Sequence, residues 1–321
     1  MDIPHVVSVA DMHSGSSVAL CPEVVKLDEG GTYRASPQQR WLHERWEEAW
    51  KWAASIIKHD RWGFEYNGDG VEGNHHGCIE PFSLNIATQA QVFMALLEPK
   101  IEKASWRGFV RGTEAHDGKQ CQALEWAARM LGANQISGNY TNWLLNVDLG
   151  GYLINYAHHI GTTTSAAYET SALNRELAAA FVEAGQWGEG RPDCLVRSHR
   201  HRYSSIEIPT SNDVARVVVT PAWQLHTPFS HKVAVNRRPQ VGMVILSIEH
   251  GELVIRRKVW VPRNEISARL SQRTQSTGIV SLANLPKRIR AESARPKSPT
   301  ASSARKGGPA CSSKRRSAKA K

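Results

Sequence analysis

The chain has 321 residues, 41% of them hydrophobic and 22% charged, which suits a globular protein of one large α/β domain or two ordinary ones. No apolar run reaches the ~18 residues of a membrane-spanning helix, and residues 1–13 lack the basic start, apolar stretch and cleavage site of a secretory signal, so a cytoplasmic protein with no membrane partner is expected. The formal net charge of +10 is confined to the end of the chain: from Pro286 onward there are 12 Lys/Arg and one acid, Glu292, leaving 28 basic and 29 acidic residues elsewhere.

In chain order, short apolar runs alternate with helical patterns. Strand-like runs cover 5–11, 63–69, 106–112, 151–159 and 193–199. A helix over 37–58 opens with a capping signal, Ser36-Pro37-Gln38-Gln39. It carries Leu42, Trp46, Trp50, Ala53 and Ile57 at helical spacing, a stripe expected to pack rather than bind. Further helices are expected at about 83–98, with Pro99 just past the end, at about 119–131, stopped by Gly132, and at about 165–184, stopped by Gly185. Three strand-like segments follow within 214–262, the last two joined as a hairpin at His250-Gly251 and expected to complete a second sheet. The pattern predicts an α/β protein with sheets buried between helices. The stretch 286–321, rich in Ser, Ala, Pro, Lys and Arg, cannot bury enough apolar surface to fold and is expected to be disordered. Its charge makes nucleic acid a conceivable partner, with a plain solubility tail as the alternative. Cys21, Cys78, Cys121, Cys194 and Cys311 form no C-x-x-C pair and read as ordinary thiols.

Five strand-like runs end in metal-binding residue types: Asp11-Met12-His13, Gly68-Asp69 with Glu72 after it, Gly112-Thr113-Glu114-Ala115-His116-Asp117, His158-His159 and Ser198-His199-Arg200-His201. In a strand, residues i and i+2 share a face, so Asp11 and His13 are expected to reach one ion together, and His199/His201 form another such i, i+2 pair. A single such histidine is more often structural. Five successive strand ends are a different matter, because reactive groups of α/β sheets gather at carboxyl ends of strands. The mixed N and O donors suit Mn, Fe or Zn.

The order D-x-H, G-D-x-x-[DE], a G-N-H-[DE]-like element, a lone His and G-H-x-H resembles the calcineurin-like metallophosphoesterases, over about residues 5–203. The resemblance implies a four-layer αββα sandwich, two packed mixed β-sheets flanked by helices. It assigns 1–265 to a phosphoesterase domain and 266–321 to a linker and the basic tail. By the resemblance, Asp11, His13 and His201 hold one divalent metal ion, His158 and His199 the second, and Asp69 bridges them. A metal-bridging hydroxide then attacks the phosphorus of a phosphate mono- or diester, and His116 stabilises the transition state or protonates the leaving oxygen.

The third motif departs from the pattern: Thr113 stands where Asn is usual, as a weaker neutral ligand, and the histidine comes two residues late. Ser198 replaces a glycine. Either His158 or His159 could be the lone histidine, with the family habit favouring His158. Asn74 and His75 spell the missing Gly-Asn-His after Gly73 and either line the site or sit in a plain loop. Gly68–Gly73 also fits G-x-G-x-x-G, but no helix signal follows and a dinucleotide site is not expected. The rival to a phosphoester hydrolase is a nucleic-acid-binding accessory protein whose phosphoesterase fold has lost its chemistry.

Overall fold

The computed structural model describes residues 3–262 except 76, 162–164, 166–167, 212–213 and 234–236; the expected linker and tail at 266–321 lie outside the described residues. The elements in order are β1 (His5–Val9), β2 (Val24–Lys26), β3 (Thr32–Arg34), α1 (Pro37–Ile57), β4 (Trp62–Asn67), α2 (Ile86–Ile101), β5 (Trp106–Val110), α3 (Gln122–Met130), β6 (Leu145–Leu149), β7 (Tyr152–Tyr156), α4 (Ser171–Trp187), β8 (Cys194–Arg197), β9 (Ser204–Pro209), β10 (Val214–Val219), α5 (Pro228–Val233), β11 (Val241–Glu249) and β12 (Glu252–Trp260).

They build two mixed five-stranded sheets. The first has the order β12-β11-β1-β4-β5, with β1, β4 and β5 parallel and β11 antiparallel to both of its neighbours, β1 and β12; the second has the order β6-β7-β8-β10-β9, with β7, β8 and β10 parallel between antiparallel edges. Alternation along the strands sorts the core into three layers. Val7, Val9, Phe64, Tyr66 and Phe109 pack outward against Leu42, Trp46, Phe93 and Leu124 of α1, α2 and α3. Val6, Val110 and Leu246 meet Ile154, Tyr156, Val196 and Val218 between the sheets. Leu195, Val217 and Val219 back onto Leu173 and Leu177 of α4. This is the expected four-layer αββα sandwich. Among the described residues no helix is long and apolar enough to cross a membrane.

Several boundaries differ from the sequence expectation. The hairpin β11–β12 joins the first sheet, where β11 pairs with β1, and of the three strands expected within 214–262 β10 alone joins the second. Strands β2, β3, β6 and β9 are short or exposed on one face, and their weak apolar patterns conceal them. In α2, Pro99 lies inside the last turn rather than beyond the end; lacking an N–H, it removes the one intrahelical bond that would reach the Ala95 carbonyl, and the helix stops two residues later. In α4, Gly185 is interior, and Gly188, at φ 66, is the glycine that takes the left-handed cap. Cys121, also left-handed, delays the start of α3 to Gln122.

The capping box at Ser36 forms as expected. Ser36 Oγ accepts from the Gln39 N–H at 3.2 Å, and Gln39 Oε1 accepts from the Ser36 N–H at 3.0 Å. The tryptophan stripe is core: Trp46 packs edge-on against Trp50 and Trp223. Cys21, Cys78, Cys121 and Cys194 are free thiols.

Candidate metal centre

The five strands β1, β4, β5, β7 and β8 stop at Val9, Asn67, Val110, Tyr156 and Arg197, each before its polar segment begins. The i, i+2 strand argument is therefore corrected. Asp11 (φ 51), His13 (φ 43), Asp69 (φ 53), His199 (φ 67) and His201 (φ 53) lie in loops with left-handed backbone. That conformation costs an L-residue on the order of 1–2 kcal/mol, so the surroundings must impose it. They do so through main-chain bonds between the loops. Asp11 N–H donates to the Gly68 carbonyl (3.0 Å), His13 N–H to that of Asp69 (3.1 Å), and Trp223 N–H to that of Asp11 (2.9 Å).

The side chains converge in two groups. In the first, Asp11 Oδ1 lies 3.4 Å from His201 Nε2 and 3.8 Å from His13 Nε2, and the two imidazole nitrogens are 3.0 Å apart. In the second, Asp69 Oδ2 lies 3.1 Å from His158 Nε2 and 4.0 Å from His199 Nδ1. The groups adjoin: His158 Nε2 is 3.9 Å from Asp11 Oδ1, and the His199 N–H donates to Asp11 Oδ2 at 3.2 Å. Asp11 Oδ1 is fully buried and has no hydrogen-bond partner among the described residues. An orphaned carboxylate oxygen beside two imidazole nitrogens at this spacing fits donors around an ion bonded at ~2.0–2.2 Å. The residues present therefore suit a divalent metal.

Ring orientations are set from behind. His158 Nδ1–H donates to the Asn67 carbonyl at 2.6 Å, which turns its Nε2 toward Asp69, while His159 is exposed, its ring 5.4 Å from that of His158. His116 Nδ1–H donates to the Glu72 carbonyl at 2.6 Å. His13 presents Nδ1 to Glu72 Oε2 at 3.4 Å, and Gln224 Nε2–H donates to that same oxygen at 2.6 Å. Such outer partners fix imidazole orientation at metal sites. Thr113 donates to Asp69 Oδ1 through both its N–H (2.6 Å) and its hydroxyl (3.0 Å).

The electrostatics follow from burial among opposite charges. Burial opposes ionisation of Asp11, but the imidazoles of His13 and His201 outweigh it and hold the carboxyl below its usual range. Asp69 is likewise depressed, chiefly by His158 against the cost of burial. Burial disfavours the imidazolium forms of His13 and His158, yet Asp11 and Glu72 lift His13 to about 10, and Asp69 lifts His158 to about 9. His116 behaves oppositely: burial and then the neighbouring His13 lower it to about 4.

Two glycines are required by close approach. A methyl on Gly112 would strike the Asp69 main chain and carboxylate, and one on Gly68, at φ 86, would strike the His158 ring. Ser198, in place of a glycine, bridges the sheets: its hydroxyl accepts from Asn67 Nδ2 at 2.8 Å and pairs with Thr220 Oγ1 at 2.7 Å. Of the loop pair, His75 lines the cavity beside His116, whereas Asn74 is exposed. Among the described residues no helix opens after Gly68–Gly73 before Ile86, so the glycine-rich stretch lacks the helix start a dinucleotide site needs.

Sequence reasoning missed four contributors. Asp117 accepts from the Asp69, Gly70 and Gly112 N–H groups at 3.0–3.2 Å and so clamps β4 to β5; burial and the Asp69 charge push it up to about 7. Its position directly after His116 was the available signal. Gln224 sits in an apolar run and gives none. Cys78 and Glu80 join Glu72 in a further group able to hold a metal, and Glu72, His75 and His116 form another.

No protein-family model matches the chain, and no curated protein matches it in sequence. Among solved structures it is similar to Vps29 of Entamoeba histolytica complexed with zinc (11% identity, TM-score 0.37, covering 80% of this chain and 98% of that one). It is also similar to vacuolar protein sorting 29 of Cryptosporidium parvum (9%, TM-score 0.34, covering 81% and 98%). A third likeness is to the sulfate thiohydrolase SoxB of Thermus thermophilus in complex with glycerol (9%, TM-score 0.36, covering 81% and 56%). At these values the fold rests on the strand order and layering themselves. The chain is a mixed α/β sandwich whose Asp and His side chains are grouped so that they can hold divalent metal.

Proposed function

We propose that the protein is a metal-dependent hydrolase of phosphate mono- or diesters with a dinuclear centre, a metallophosphoesterase. One observation carries the reading: two Asp/His groups adjoin, with the orphaned Asp11 Oδ1 between His13, His201 and His158, and with His13, His201, Asp69 and His199 lining one cavity. Asp11, His13 and His201 would hold one ion, and His158 and His199 the other, with Asp69 between them and Thr113 offering a lone pair while its hydroxyl donates to Asp69 Oδ1. The donor set suits Mn, Fe or Zn. Two such ions supply Lewis-acid polarisation of a phosphoryl group.

The chain's own residues do the rest. With Nδ1 committed to the Glu72 carbonyl, His116 has Nε2 as the nitrogen that exchanges a proton. Its low affinity for protons leaves the ring neutral at pH 7, and the negative charge of a bound phosphate favours its protonation. His116 is thus the group to stabilise or protonate the leaving oxygen. Glu72 and Gln224 hold His13, and Asp117 holds the loops of Asp69 and Gly112.

The test is the Asp69→Asn variant loaded with manganese. It should lose bound metal and about a hundredfold or more of its hydrolysis of an aryl phosphodiester; full retention of both refutes the assignment. The second reading is an accessory protein that binds nucleic acid without turnover. It is favoured by Thr113, a weak ligand already engaged by Asp69, and it predicts no hydrolysis under any divalent ion.

A further inference from the structure

We propose that the cavity at this centre takes a small organic phosphate carrying a second phosphoryl group, received by Arg237. The inference rests on the phosphoester reading above. The cavity measures about 840 Å³, within the range of small-molecule sites. Its lining is asymmetric. The stretch after β4 contributes Glu72 and Glu80, while 200–202 and 237–238 contribute four arginines.

Those arginines are not equivalent. Arg200 donates through Nη1 to the Glu169 carbonyl at 2.8 Å and through Nη2 to that of Gly161, so its head group is tied back to the main chain. Arg202 Nε lies 3.2 Å from Glu169 Oε1. Arg238 is exposed and solvated. Arg237 differs from all three: two of its donors, Nε and Nη2, are closed off from solvent with no hydrogen-bond partner among the described residues, whereas in Arg200 and Arg202 only Nε is so placed and Gly161 and Glu169 hold the head groups.

Shielded donors of a permanent cation are costly when unanswered. A phosphoryl group answers them best, since its oxygens match the guanidinium fork two at a time. The ester being cleaved sits with the Asp/His groups, so the anion on Arg237 is a second one on the same molecule. Phe229, Leu225 and Ile79 line the cavity as well and supply apolar surface for the carbon skeleton between the two groups.

The experiment is calorimetric titration of the full chain, loaded with manganese and freed of excess metal. The probes are propyl phosphate and the bisphosphates of 1,3-propanediol, 1,4-butanediol and 1,6-hexanediol. At least one bisphosphate should bind about tenfold or more tightly than propyl phosphate. Arg237→Ala should erase that gain without changing manganese content or propyl phosphate affinity, and Arg237→Lys should restore part of it. Equal affinity for mono- and bisphosphates, or a gain that survives Arg237→Ala, overturns the proposal. So does a result in which only a single-stranded oligonucleotide depends on Arg237, which would assign the residue to a polymer. Hydrolysis of p-nitrophenyl phosphate is measured in parallel: its absence sinks the hydrolase reading, while the binding comparison decides the role of Arg237 separately.

Discussion

Glu65 shows at single-residue scale how this core departs from an apolar one. It lies in β4 beside Ser8 of β1 in register, on the face turned to the second sheet, and its carboxylate is fully buried with no hydrogen-bond partner among the described residues. Burial pushes it well above its ordinary value. A raised carboxylate binds its proton more tightly when folded than when unfolded. Its contribution is therefore complete below the unfolded value near ~4.3 and is lost as pH rises toward the folded one. Glu65→Gln should raise the thermal midpoint at pH 8, with little change at pH 4; denaturation scans across that window check it, and an equal shift at both pH values counts against a protonated Glu65. Asp11 and Asp69 are the opposite case, equally buried but held ionised by imidazoles. Environment rather than residue type separates the two kinds of carboxylate.

At the scale of elements, the site depends on where strands stop. The left-handed turns after β1, β4 and β8 redirect Asp11, His13, Asp69, His199 and His201, and loop-to-loop hydrogen bonds hold those turns. Helices α1 to α4 act as scaffold. Helix α1 is anchored by its capping box at Ser36 and by the buried faces of Trp46 and Trp50, with no residue of its own lining the cavity. Ser36→Ala should therefore cost about 1 kcal/mol of stability, by loss of the cap, and leave metal content and hydrolysis unchanged. Chemical denaturation with a parallel metal assay measures both, and a fall in bound metal would mean that α1 reaches the centre indirectly.

For the whole molecule, the ligand set is divided between the two sheets. Asp11, His13 and Asp69 follow strands of the first, while His158, His199 and His201 follow strands of the second. An ion bound by both halves links metal affinity to sandwich assembly. At manganese a hundredfold above the dissociation constant, folding should gain about 2.7 kcal/mol; chelation should lower the thermal midpoint correspondingly, and a midpoint insensitive to chelator argues against a metal shared between the sheets. Truncation after Leu285 tests the other charge-bearing region. It should leave the midpoint and metal content intact while abolishing any salt-sensitive binding of single-stranded DNA, because 12 Lys/Arg lie beyond that point. Binding that persists would move the nucleic-acid contact into the folded body.

The amino-acid order alone determined which residues gather. Apolar runs of strand length followed at once by Asp or His put Asp11, His13, Asp69, His116, His158, His199 and His201 at strand ends, and alternation along the chain predicted an α/β protein with sheets buried between helices, the four layers being what the resemblance implied. The capping box and the packed tryptophan stripe were equally legible, because local hydrogen bonding and helical spacing are short-range properties. Other features were decided only by the tertiary structure. They include the left-handed turns that aim the ligands, the pairing of β11 with β1, the clamp by Asp117, the choice of His158 over His159 to face Asp69, and the enclosure of Glu65 and Arg237. Each depends on groups far apart in sequence, so burial and hydrogen-bond partners exist only once both sheets are in contact.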